Sequence, residues 1–148
     1  MPITGSCISE TYSPLITRAR SVCAEMHAGF AALRNHLGMN IEASLPEVGQ
    51  RILRENAQVK GDVDRLLQMW SELLAAHGGP MLFGRFSVAD AFFAPVVKRF
   101  VTYAVPLPPV IAAYVDRVQA LPAVVEWTTG ALAENDFLDF EEPYRTRC

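Results

Sequence analysis

Apolar residues recur along this chain at intervals of three and four, the period of one face of an α-helix. Leu15, Ala19, Val22, Cys23, Met26, Phe30, Leu33 and Leu37 form the first such stripe. It opens at Ser13-Pro14, an N-cap followed by proline at the first helical position, and Gly38 stops it. After a connection over Met39 to Ser44, Pro46 starts a second long helix reaching about His77. There Val48, Ile52, Val59, Val63, Leu66, Leu67, Trp70, Leu73 and Leu74 keep helical spacing, while Arg51, Arg54, Glu55, Lys60, Asp62 and Asp64 make a solvated face. Gly61 costs about 1 kcal/mol relative to alanine in a helix interior and is expected to mark a bend. Gly78-Gly79-Pro80 ends the helix.

The third helix differs in kind. Ser87 followed by Asp90 forms a capping box with aspartate in place of the usual glutamate or glutamine. Phe92, Phe93, Val96, Val97, Phe100 and Val101 then leave almost no polar face, which predicts a helix buried nearly all round. Pro95 removes an amide donor and is expected to kink this helix, with a concavity beside Phe92 and Phe93 as one consequence and simple packing as the other. Val105 to Pro109 reads as a rigid connector. A fourth helix runs from about Val110 to Ala120 and a fifth starts at Pro122. The pattern thus predicts an all-α bundle of about five helices around a buried, capped central one. Residues 1–12 read as an irregular leader, and 13–148 as one helical domain whose aromatic tail packs back on it.

With 51% hydrophobic and 20% charged residues and a formal net charge of −3, the chain fits a compact protein, not a disordered or nucleic-acid-binding one. No apolar run approaches the roughly 20 residues needed to span a bilayer, and the first residues lack the pattern of a signal peptide. A cytoplasmic location is expected, with no membrane partner. Cys7, Cys23 and Cys148 lack metal-ligand spacing, so neither zinc nor a disulfide framework is suggested.

Candidate chemistry is sparse. His27 stands in line with Arg20 and Arg34, seven residues apart, on the flank of the first helix. An imidazole there can serve as acid, base or donor, or bond a backbone carbonyl. Arg99 and Tyr103 lie four apart on the central helix, so a guanidinium and a phenol can converge at the end of a cavity. An ion pair from Arg99 to Asp116 or Glu126 is the structural alternative. No Ser/His/Asp arrangement, paired metal ligands or phosphate loop appears.

Taken in order, Ala19-Arg20-Ser21-Val22-Cys23-Ala24-Glu25-Met26-His27, the Phe83-Gly84 loop before Ser87-Val88-Ala89-Asp90, and Leu121-Pro122-Ala123-Val124-Val125-Glu126-Trp127 resemble the C-terminal helical domain of glutathione transferases. The resemblance covers roughly residues 14 to 145, and the thioredoxin-like domain that precedes these helices in complete members has no counterpart in Met1 to Tyr12. It implies that Met26, His27 and Phe30 lie nearest an electrophile pocket, and that Phe140 and Tyr144 belong to a C-terminal segment covering it. It also implies a homodimer, and glutathione as cofactor only if a thioredoxin-fold partner supplies its site. The function expected is that of a stand-alone domain, with Met1-Pro2-Ile3-Thr4 read as a genuine start. It binds a hydrophobic small molecule at Met26, Phe30, Phe92, Phe93 and Tyr103, with His27, Arg99 and Tyr103 as polar contributors to any catalysis. Half of a split or truncated transferase, and a protein-interaction module, are the alternatives.

Overall fold

The computed structural model describes residues 14–136, 138, 140 and 142–144. The expected cap at Ser13, the leader, Cys7 and Cys148 lie outside the described residues. Within them the chain forms seven helices and no strand: α1 (Pro14–Ala28), α2 (Ala31–His36), α3 (Pro46–Glu55), α4 (Ala57–His77), α5 (Val88–Thr102), α6 (Pro109–Gln119) and α7 (Pro122–Glu134). The count exceeds five because each of the two long helices breaks once.

The first break falls at Gly29 and Phe30, where Phe30 takes a left-handed backbone with φ 57°. A non-glycine residue there costs roughly 1 kcal/mol, and the surroundings offset it from both sides. The Arg34 guanidinium donates to the His27 carbonyl at 2.9 Å, covering the open end of α1. The Asp62 carboxylate, reaching over from α4, accepts from the Leu33 amide at 2.9 Å and caps α2. The second break is at Asn56, not at Gly61. The Asn56 side chain accepts from the Gln58 and Val59 amides, both at 3.1 Å, and so starts a new helix, while Gly61 sits inside an unbroken α4. Gly78, with φ 71°, closes α4 in the left-handed conformation.

α5 is the central element, with α1 and α6 packed directly on it. Its capping box forms as expected. The Asp90 carboxylate accepts from the Ser87 amide at 2.8 Å and from the Ser87 hydroxyl at 2.9 Å. It also takes the Leu82 amide and the Tyr114 hydroxyl, both at 3.2 Å. Four donors therefore compensate a carboxylate with no solvent exposure. Behind it the fully buried Trp70 touches three aromatic rings, Phe93, Phe100 and Tyr114, at centroid distances of 5.2–5.5 Å. Those to Phe93 and Tyr114 are edge-on and that to Phe100 is tilted, and aromatic pairs of this kind each add about 0.5–1.5 kcal/mol beyond burial.

One expectation fails here. α5 is not buried all round, since Val88, Phe92 and Val101 are 61%, 43% and 44% exposed. α1 and α6 pack on it, and α7, in which only Val124 is buried, covers little, so apolar side chains from both ends of α5 stay open.

Candidate functional site

The C-terminal turn of α5 carries the polar pair singled out from the sequence, and its groups serve the loop between α2 and α3. Arg99 Nε donates to the Leu37 carbonyl at 2.9 Å, and the Arg99 guanidinium also reaches the Pro95 carbonyl at 3.2 Å. Tyr103 Oη donates to the Gly38 carbonyl at 2.9 Å, and the Thr102 hydroxyl donates to the Asn40 carbonyl. The buried Asn40 side chain in turn accepts the Glu42 and Ala43 amides. Backbone carbonyls that leave a helix end must find donors, and α5 supplies three. Gly49 of α3 fits beneath this turn because an added Cβ would lie 2.0 Å from the Tyr103 carbonyl oxygen. Burial, helped by Tyr144 and Glu142 and opposed by Arg99, pushes the Tyr103 phenol up to about 12. At neutral pH it is a donor and stays protonated.

The other sequence candidates are dispersed. Met26, Phe30 and Phe93 are core side chains, 7%, 6% and 0% exposed. His27 and Phe92 lie on the surface. Cys23 is buried and its thiol is pushed up by burial, with the negative charge of Asp90 adding to the effect. Tyr144 packs edge-on against Tyr103 at 6.3 Å. Phe140 borders a polar hollow of about 320 Å³ with Arg34, Asn35, Gly38, Met39 and Arg99. The structure thus joins Arg99 and Phe140 at one place, with Tyr103 and Tyr144 in contact nearby, and leaves Met26, His27, Phe30, Phe92 and Phe93 apart from it.

The concavity associated with Pro95 does exist, but on another face. Ala91, Ala94 and Pro95 of α5, with Phe86 ahead of it, form one wall of a groove of about 550 Å³. Leu121, Pro122, Ala123, Val124 and Trp127, at the start of α7, form the other. Not beside Phe92 and Phe93, the opening follows the residues that combine a proline with small side chains, where two helices approach without filling the space between them. None of the nine lining side chains is charged. The local sequence explains both walls: the capping box fixes the entry of the chain at Phe86 into α5, and Pro122 at the first helical position fixes the start of α7.

Among the described residues, no cluster of three or more His, Cys, Asp or Glu side chains could hold a metal ion. Among them, too, no helix is long and apolar enough to cross a membrane. What the groove offers is shape and apolar surface, since its nine lining residues are uncharged. The sequence model of the family described as glutathione S-transferase, C-terminal domain, matches residues 16–130. No curated protein and no solved structure matches the chain.

Proposed function

This chain belongs to the glutathione S-transferase C-terminal domain family, and from that premise we propose that it binds a hydrophobic small molecule in the groove between α5 and the start of α7. The observation that supports this reading is the groove itself, about 550 Å³ in volume and walled by nine uncharged residues. Small-molecule sites typically enclose roughly 300–1,000 Å³ behind mostly apolar walls. The half-exposed Trp127 gives such a ligand a flat aromatic face to lie on. Met26, Phe30 and Phe93 are packed in the core and do not line the groove.

The test is a titration with the uncharged fluorophore N-phenyl-1-naphthylamine. Its emission is expected to rise on addition of protein, and Ala123→Trp, which fills the groove, is expected to abolish the rise while leaving the thermal midpoint close to the parent's. Equal binding by both proteins, or by neither, refutes the reading.

A second reading draws on the apolar residues beyond the groove. Val88, Val125 and Leu132 are 61%, 49% and 39% exposed, and exposed apolar surface of this kind often marks a macromolecular contact. A thioredoxin-fold partner seated there would bring glutathione, which on this proposal the chain does not use alone; a second copy of the chain would make a homodimer. Native mass spectrometry of the protein from its own cells separates these from the stand-alone binder by the masses of the bound species.

A further inference from the structure

α5 carries four polar or charged side chains, namely Asp90, Lys98, Arg99 and Thr102. Three of them are engaged by the protein itself: Asp90 by its four donors, Arg99 by the Leu37 and Pro95 carbonyls, and Thr102 by the Asn40 carbonyl. Lys98 is the exception. Among the described residues its ammonium makes no hydrogen bond, and no carboxylate lies within ion-pairing distance of it.

Its position gives that exception a meaning. Lys98 follows Ala91 by seven residues, Ala94 by four and Pro95 by three, so it shares the face of α5 that lines the groove, one turn past Pro95. At about 1.5 Å of rise per residue, its Cα is about 4.5 Å further along the helix axis. A lysine lays its four-carbon stem along apolar surface and extends its charge past the end. The residue is half-buried, and burial lowers its pKa below the usual lysine range. The acid closest in sequence to the opposite wall, Glu126, is exposed and does not pair with Lys98.

We infer that the groove takes an amphipathic organic acid, whose hydrocarbon body lies between α5 and α7 and whose carboxylate pairs with the Lys98 ammonium. The inference rests on the groove being a small-molecule site and adds to it the charge class of the ligand. A partly desolvated cation at the rim gains more from a ligand carboxylate than a fully solvated one does, because hydrogen bonds to charged groups are the stronger kind. The pair also fixes which end of the ligand faces the C-terminal half of α5.

Dansylaminoundecanoic acid and its methyl ester differ in that one charge and report binding by fluorescence. The acid is expected to bind the full chain roughly tenfold more tightly than the ester. Lys98→Met, which keeps the length and apolar stem of the side chain, is expected to bring the ratio close to one. Lys98→Arg should keep it. A ratio of one in the parent protein, or a ratio unchanged in Lys98→Met, overturns the inference while ester binding leaves the groove reading intact. Failure of both probes to bind overturns the two together. Should Lys98→Met not fold, Lys98→Gln serves in its place, and the ratio in the parent protein decides by itself.

Discussion

Replacing Asp90 by alanine is expected to be among the most damaging single changes available in this protein. The carboxylate is fully buried and serves the Ser87 and Leu82 amides and the Ser87 and Tyr114 hydroxyls at 2.8–3.2 Å. Removing it leaves the Leu82 amide and the Tyr114 hydroxyl as buried donors without partners, each costing about 1–3 kcal/mol, and uncaps α5 for about 1 kcal/mol more. Removal of a buried charge relieves part of this, so the net cost is set at about 3–5 kcal/mol. A domain of this size has roughly 5–15 kcal/mol in hand, so the variant should lose from about a fifth to all of the parent's urea midpoint. Asp90→Asn keeps one acceptor oxygen and should cost about half as much. The geometry is isolated by a double-mutant cycle with Tyr114→Phe, measured by urea unfolding at pH 7. Because the two side chains share one bond, the loss in the double variant should fall short of the summed single losses by about 1–2 kcal/mol. Additive losses, or an Asp90→Ala protein within about 1 kcal/mol of the parent, would falsify the assignment of Asp90 as the junction between α5, α6 and the loop at Leu82.

Two further predictions concern α3, α4 and the end of α5. Gly49→Ala places a Cβ 2.0 Å from the Tyr103 carbonyl oxygen, a backbone atom that cannot swing away, and should cost about 2 kcal/mol or more in urea unfolding. Gly61→Ala, with open space around it inside α4, should instead stabilise by about 0.5–1 kcal/mol, and the opposite signs are the check. The alkaline limb of stability carries the signature of Tyr103. Its phenol is held protonated up to about 12 in the folded protein, whereas an unfolded tyrosine ionises near about 10. The folded state keeps a proton that the unfolded state releases, so stability falls as pH rises through that interval, by at most about 2–3 kcal/mol from this group. Tyr103→Phe should lower stability at pH 7 by about 1 kcal/mol, through loss of the bond to the Gly38 carbonyl, and make the decline above pH 10 shallower. A slope identical to the parent's would remove Tyr103 as a source of the decline.

What could be read from the chain in advance was what is decided locally. Ser87 and Asp90 are three residues apart, and a cap that close is fixed by backbone geometry before any tertiary contact forms. Proline starts at 46 and 122 and the glycine stop at 78 are legible for the same reason. The two helix breaks were not. That at Phe30 depends on Asp62, which lies in another helix, and on Arg34 folding back over the end of α1. That at Asn56 competes with Gly61 for the same bend, and a side chain that caps two amides outweighs a glycine that merely weakens a helix. Arg99 and Tyr103 were singled out because polar groups in an apolar helix need partners, and they have them in the loop carbonyls of Leu37 and Gly38. Nothing in the spacing of residues 99 and 103 distinguishes a loop carbonyl from a ligand.

The groove escaped sequence reading for a related reason. Apolar positions around the whole circumference of α5 show that burial is favourable on every side, but which side goes uncovered depends on where α6 and α7 are placed. α7 buries only Val124 among its described side chains, and beside the buried Ala94 it leaves Ala91 exposed and Pro95 half-buried. Once that face is known to be open, the small side chains there make room and Trp127 supplies an opposing wall. The same knowledge changes the meaning of Lys98. In the sequence it is one cation beside another, in the pair Lys98-Arg99; in the fold the two point to different tasks. Arg99 closes the protein's own carbonyls, whereas Lys98 stands one turn past the groove with no partner for its charge among the described residues. Partly burying an unpaired ammonium costs stability that an aliphatic residue at the same position would spare. An amphipathic acid bound in the groove would compensate that charge and cover the open face of α5 in one step.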